Sequence, residues 1–135
     1  MRRPSAGHDQ PVVTPAMEDY LKAIRRARSG AAAVSTKRLS VELGVSGPSV
    51  TNMVKRLDKL GLLHHRRHRG VVLTEAGERI AIGVEQRHTI ISRYLSEVVG
   101  VPKAVVDVEA EHLEHHISVE LEPWLLAALR TESSP

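Results

Sequence analysis

The sequence predicts a mainly α protein in two parts, a winged helix-turn-helix followed by an all-helical domain. Apolar residues recur at helical spacing, and the 135 residues include no Phe, one Trp and two Tyr, which favours packed helices over a β-sandwich. Residues 14–74 hold twelve Lys or Arg and four acidic residues, a formal +8, whereas residues 75–135 hold five and eleven, a formal −6. A basic part joined to an acidic part indicates two different tasks.

We expect four segments along the chain. Residues 1–13 form a disordered lead-in, 14–74 the winged helix-turn-helix domain, 75–130 the helical domain and 131–135 a frayed tail. No apolar run is long enough to span a membrane or to follow the basic start as a signal peptide, so the predicted location is the cytoplasm, without a membrane partner. The absence of cysteine excludes thiolate metal ligands and leaves His and carboxylates.

The first helix is predicted from a capping signal. Thr14 is a suitable N-cap, and Pro15 suits the first helical position. The apolar residues that follow share one face, and Asp19 and Lys22 fall on another face.

The next segment is typical of a helix-turn-helix. In LSVELGVSGPSVTNMVKRL, residues 39–57, two short helices are joined by a turn that contains Gly44. Leu39, Val41 and Leu43 are the expected apolar residues of the first of these helices. The segment LLHHRRHRGVVLT, residues 62–74, has two apolar arms around a basic turn with Gly70 near its tip, and it predicts a two-stranded wing.

The start of the third helix and the wing are the predicted contacts with double-stranded DNA. Asn52 can pair with adenine through its amide, while Thr51 and Pro48 offer apolar surface to a thymine methyl group. The serines suit phosphates, and the arginines suit the backbone or the minor groove. The predicted DNA-binding residues are Ser46, Pro48, Ser49, Thr51, Asn52, Arg66, Arg67 and Arg69.

The acidic half contains EAEHLEHHISVE, residues 109–120, which is rich in Glu and His. On a continuous helix Glu111, Glu114 and His115 lie within roughly 100° of arc. Two carboxylates and an imidazole can bind a divalent cation, but such a trio also occurs as a solvated polar face, and both readings stay open on this helix alone. His88 and Asp19 are candidates for a further ligand. The expected core side of the helix consists of Val106, Ala110, Leu113, Ile117 and Leu121.

The sequence contains no pattern typical of an enzyme. HLEHH is not HExxH, and neither a Ser/His/Asp arrangement nor a phosphate-binding glycine loop is present. Glu85 with His88 and Glu109 with His112 show the Glu-x-x-His spacing of di-iron bundles, but only two long helices follow the wing. We therefore predict a protein that is not an enzyme.

The motifs resemble, in order over residues 14–129, the metal-dependent repressors of the diphtheria toxin repressor family, particularly its short manganese-sensing branch. The resemblance implies a metal-binding and dimerisation domain after the winged helix, no SH3-like domain, a homodimer, a near-palindromic operator and repression of metal-homeostasis genes. The segments that carry it are TPAMEDYLKAI, SGPSVTNMVKRLDKLGLL, RGVVLTEAGERIA, QRH at 86–88 and EAEHLEHHIS.

By position, the resemblance implies a ligand set of Asp19, His88, Glu111, Glu114 and His115. Hard oxygen ligands at Asp19 and Glu111 favour Mn²⁺ over Fe²⁺ as the co-repressor, and such sites also accept Co²⁺ and Zn²⁺ in vitro. Lys22 stands where the manganese-sensing relatives have a glutamate that helps to hold a second ion, and its positive charge opposes a full two-metal centre.

The resulting hypothesis is a metal that bridges the DNA-binding and dimerisation domains and fixes the spacing of two winged helices. One alternative is a winged-helix regulator of a small organic ligand, which leaves the pairing of Asp19 with His88 unexplained. Another is a metal buffer, which leaves the basic half unexplained.

Overall fold

The computed structural model describes residues 12–28, 30 and 32–133. Most of the predicted disordered lead-in, residues 1–11, and the last two residues of the predicted tail lie outside this part. The chain forms two compact units, Met1–Ile80 and Ala81–Pro135. None of the described helices is long and apolar enough to cross a membrane.

The first unit is a winged helix-turn-helix. Its core consists of apolar side chains from every element, including Leu21, Leu39, Val50, Leu57 and Leu63, none of which is exposed. The elements are α1 (Pro15–Ala27), α2 (Thr36–Leu43), α3 (Gly47–Lys59), β1 (Leu63–Arg66) and β2 (Gly70–Leu73).

Local sequence signals determine where α1 and α2 begin and end. The Thr14 hydroxyl accepts a hydrogen bond from the Met17 N–H at 3.2 Å, which confirms the predicted N-cap. Lys22 of α1 is only 8% exposed although it lies off the apolar face, and Val41 of α2 is 76% exposed although it is apolar.

The wing is an antiparallel pair of strands extended by one bridge from the chain before α2. Leu63 pairs with Leu73 and Arg66 with Gly70. Val34 exchanges both backbone hydrogen bonds with Val71, at 2.9 and 2.8 Å. Gly70 has a φ of +99°, and a Cβ added there would lie 2.2 Å from the Val34 carbonyl oxygen. Only glycine fits this approach, so the Val34 bridge depends on it.

The beginning of α4 (Glu75–Tyr94) packs on the winged helix. The Thr74 hydroxyl donates to the Gly61 carbonyl at 2.7 Å and accepts from the Gly77 N–H at 3.1 Å. One turn later the Glu78 carboxylate pairs with Arg25, at 3.2 Å, and with Arg28. These contacts explain why the first unit extends into α4, to Ile80.

The second unit contains the rest of α4, a π-helical turn (Leu95–Val99), α5 (Lys103–Leu113) and α6 (Glu122–Ser133). Val84, Ile91, Val106, Ala110 and Leu129 form its core. After Tyr94 the helix changes to π geometry, and the chain leaves it at Gly100. α6 continues to Ser133, beyond position 131, where we expected a frayed tail.

The expected core face of α5 is wrong in its second half. Val106 and Ala110 are buried, but Leu113 and Leu121 are exposed. α5 ends at Leu113 and the chain turns over residues 114–117, so helical spacing no longer applies to Leu121, whereas Leu113 is the last residue of the helix. The predicted fold class, mainly α with a winged helix-turn-helix before a helical domain, is confirmed.

Candidate nucleic-acid interface and metal centre

The exposed face of α3 carries the predicted base-reading residues. Ser46 is the N-cap of α3, and its hydroxyl accepts from the Ser49 N–H at 3.2 Å and lies 2.9 Å from the Ser49 hydroxyl. Pro48, Ser49, Thr51 and Asn52 are exposed, whereas Val50 on the other face is fully buried. The amphipathic spacing of α3 therefore leaves these polar side chains accessible, and their contact with DNA stays a prediction.

The wing turn presents a concentrated positive charge. Arg66, Arg67 and Arg69 are exposed, and the turn is closed by the Arg69 N–H, which donates to the Arg66 carbonyl at 2.9 Å. His68 lies at its tip with a φ of +64°. The wing is thus a short hairpin whose charge faces solvent, as a contact with phosphates requires.

In the second unit, a buried carboxylate lies between two imidazoles. Glu114 is 0% exposed. Its Oε2 lies 2.7 Å from His88 Nδ1, and its Oε1 lies 3.5 Å from His115 Nε2. A carboxylate removed from water is unfavourable unless hydrogen bonds or positive charge compensate it. The two oxygens are directed at the two nitrogens that the sequence predicts as ligands.

The end of α5 places Glu114 in this position. Its backbone N–H still donates to the Ala110 carbonyl at 2.9 Å, so Glu114 is the C-cap of α5. Its own carbonyl accepts from Arg87 Nε at 3.0 Å. Two consecutive residues of α4 therefore hold Glu114. The Arg87 side chain binds the main-chain carbonyl of Glu114, and the His88 side chain contacts its carboxylate.

The structure describes all five predicted ligands. His88, Glu114 and His115 are brought together in the second unit. Glu111 is exposed on the last turn of α5, and Asp19 is half-buried on α1 of the first unit. The five-residue ligand set stays a prediction.

Two residues around the site were not predicted as part of it. Asp107 Oδ1 lies 3.5 Å from His88 Nε2, although the Asp107 side chain is 87% exposed. The Arg87 side chain is only 12% exposed and lies 3.9 Å from Glu122 Oε1 on α6. The one sequence signal for a role of Arg87 was its position directly before His88. Of two consecutive helical residues, one can reach the main chain of a neighbouring residue and the other its side chain.

The residues present fit a divalent metal ion of the first transition row. The donors are imidazole nitrogen and carboxylate oxygen, without sulfur, which suits Mn²⁺, Fe²⁺, Co²⁺ and Zn²⁺. The buried Glu114 carboxylate is the strongest indication, because a cation next to it would compensate its lost hydration.

The fold and this site define a DNA-binding regulator with a metal-binding domain. Residues 13–71 match the family described as iron dependent repressor, N-terminal DNA binding domain. Residues 74–131 match iron dependent repressor, metal binding and dimerisation domain. The chain belongs to this family of metal-dependent transcriptional repressors.

Curated relatives and solved structures agree with this assignment. The HTH-type transcriptional regulator MntR of Lysinibacillus sphaericus (strain C3-41) is 37% identical over 107 residues, covering 78% of this chain and 75% of the relative. MntR of Bacillus subtilis (strain 168) is 33% identical over 107 residues, covering 79% and 75%.

Among solved structures, a manganese-dependent transcriptional repressor in complex with manganese is 34% identical with a TM-score of 0.73, over 84% of this chain and 52% of that one. The manganese regulator SloR is 28% identical with a TM-score of 0.73, over 89% and 55%. The chain spans about half the length of these solved structures.

Family membership decides between the functional alternatives. The predictions of a metal-dependent repressor, and of a protein that is not an enzyme, are confirmed because the family consists of DNA-binding repressors. The family match supports neither a regulator of organic ligands nor a metal buffer.

Proposed function

We propose that this protein represses metal-homeostasis genes in the cytoplasm when Mn²⁺, or alternatively Fe²⁺, is plentiful. The observation that carries the proposal is the fully buried Glu114 carboxylate between His88 and His115. The proposed ligands are Asp19, His88, Glu111, Glu114 and His115.

The proposed ligands can hold the ion and favour one metal over others. His88 and His115 offer nitrogen lone pairs, and Glu114 offers two oxygens that already point at these imidazoles. The ion, when bound, would supply positive charge next to the buried carboxylate. Oxygen from Asp19 and Glu111 instead of sulfur favours Mn²⁺, and Co²⁺ and Zn²⁺ would also bind in vitro.

The effector mechanism follows from where the ligands lie in the sequence. Asp19 belongs to the winged helix, whereas the other four belong to residues 81–135. An ion bound by both sets would restrict the positions that the DNA-binding unit samples. Operator affinity would rise because the ion binds that restricted state more tightly than the others.

The partners proposed are a second copy of the chain and a near-palindromic DNA operator. Apolar side chains of the second unit are exposed, among them Val105, Val108, Leu121 and Trp124, the last at 75%. Exposed apolar side chains in such number favour an interface. A twofold homodimer would present two α3 helices to two half-sites related by the same symmetry.

The proposal is tested by selecting bound duplexes from a random DNA library with Mn²⁺ and measuring their affinity with and without chelator. Wild type should bind much more tightly with Mn²⁺. Glu114→Gln should lose this response and Mn²⁺ affinity measured by electron paramagnetic resonance, whereas Glu109→Gln, an exposed carboxylate on α5, should keep both. Equal affinity in chelator, or an unchanged response in Glu114→Gln, would contradict the proposal. Repeating the titration with Fe²⁺, Co²⁺ and Zn²⁺ ranks the metals.

A further inference from the structure

Arg87 makes contacts that a solvated helix charge does not make. Its Nε donates to the main-chain carbonyl of Glu114 at 3.0 Å, and its terminal NH1 lies 3.9 Å from the Glu122 carboxylate. The side chain is only 12% exposed. The guanidinium is thus held by two partners. Because its planar donors lose little freedom for each bond they form, these contacts favour one position of the side chain.

The carbonyl that Arg87 binds is one that the helix cannot satisfy. Glu114 is the C-cap of α5, and the last carbonyls of a helix have no partner further along the chain. The Glu114 carbonyl receives its hydrogen from Arg87 instead. The same contact opposes a rotation of α5 about its end, which would move the Glu114 carboxylate away from His88.

We propose that Arg87 is a positioning residue for metal binding: it fixes the main chain of Glu114 so that the carboxylate stays aligned with His88. This inference rests on the proposed function, because it assumes that Glu114 and His88 hold the ion. Through Glu122, the same guanidinium also sets the start of α6 relative to the site.

The sign of the effect separates positioning from simple electrostatics. A positive charge close to a cation site opposes cation binding, so a role limited to charge predicts tighter Mn²⁺ binding once the charge is removed. Positioning predicts the opposite. A lysine keeps the charge and can donate one hydrogen bond, so it should preserve part of the affinity, and methionine should preserve none of the contact.

The experiment compares Mn²⁺ affinity in Arg87→Lys and Arg87→Met with wild type, using electron paramagnetic resonance of the full chain. Loss of an outer partner of a metal ligand costs roughly 10–100-fold in affinity, and we expect Arg87→Met in that range with Arg87→Lys between it and wild type. Arg93→Lys and Arg93→Met serve as controls on the same helix, where Arg93 is exposed and pairs with Glu97 at 3.0 Å. The controls should bind Mn²⁺ as wild type does.

A second measurement guards against general destabilisation. Thermal unfolding in chelator is recorded for every variant, and Glu122→Gln is included as a milder perturbation that leaves the Glu114 contact in place. Wild-type or tighter Mn²⁺ affinity in Arg87→Met would overturn the inference. So would a loss of Mn²⁺ affinity in Arg87→Met that is no larger than the loss in Glu122→Gln when the two variants are equally stable. If Glu114→Gln and His88→Asn also bind Mn²⁺ normally, the proposed function itself fails, which is a distinguishable result.

Discussion

The Nδ1 atom of His88 lies 2.7 Å from the Oε2 atom of Glu114, and the two residues are 26 positions apart in the sequence. The distance suits a hydrogen bond that the Nδ1–H group donates to the buried carboxylate. A metal ion that binds His88 through Nδ1 would replace this hydrogen bond.

Metal loading is therefore expected to remove the Nδ1–H signal of His88. The measurement is a nitrogen-15 spectrum of histidine-labelled protein with and without Zn²⁺, which is diamagnetic. His112 is exposed on α5 and serves as an internal control whose signals should stay unchanged. Persistence of the His88 Nδ1–H signal at saturating Zn²⁺ would show that the ion does not replace this hydrogen bond.

Measurements of DNA affinity in two variants should distinguish the role of α3 from that of the wing. Arg67→Ala should lower the slope of log affinity against log salt by about 0.9 on every duplex, because one phosphate contact is lost. Asn52→Ala should instead cost about 1–3 kcal/mol at a single base position of the selected operator. Arg93→Ala removes one positive charge from α4 and is the control for a change in net charge alone. A uniform loss over all sequences in Asn52→Ala would contradict base reading by that side chain.

The stability of the chain should be sensitive to Gly70 of the wing and insensitive to Gly47 of α3. Gly70→Ala forces a Cβ to within 2.2 Å of the Val34 carbonyl at a φ of +99°, so we expect a loss of about 1–3 kcal/mol in the free energy of unfolding. Gly47→Ala on α3 meets nothing within 4 Å and should change stability by less than about 1 kcal/mol. Urea unfolding in chelator measures both, and equal stabilities would refute the close approach of Val34 to Gly70.

Stability at high pH should depend on Tyr20. Burial raises the pKa of its phenol above the ordinary value of 10.0, because the charged form loses hydration. A raised folded-state pKa contributes stability that is complete below the unfolded value and is lost as pH rises through the folded value. Wild type should therefore lose stability above about pH 10 more steeply than Tyr20→Phe. Parallel pH profiles of unfolding, measured in chelator, would contradict this expectation.

Local signals predicted most of the first unit. The hydroxyls of Thr14 and Ser46 cap the helices that they were expected to begin, and the basic turn between two apolar arms became the wing. These features depend on residues within a few positions of each other. The burial of Lys22 was missed because it depends on tertiary packing around α1 rather than on the pattern of the helix itself.

The sequence was least informative at the end of α5. Apolar spacing through Leu113 and Leu121 favoured a helix that continues past Glu114. The chain turns instead, and the contacts made there by Arg87 and His88 come from 27 and 26 positions away. No local pattern records such contacts. The candidate ligands were therefore found through their residue types and the family resemblance, while the burial of Glu114 emerged only from the fold.

The last turn of α5 also has the wrong charge for a helix end. A helix carries partial negative charge at its C-terminus, and each carboxylate there costs about 0.3–1 kcal/mol. Glu111 lies in that turn and Glu114 caps it. Since a cation would relieve this repulsion, the gain in stability on metal binding should be concentrated at the end of α5. Amide exchange there should slow on metal binding more than exchange at its first turn, near Lys103.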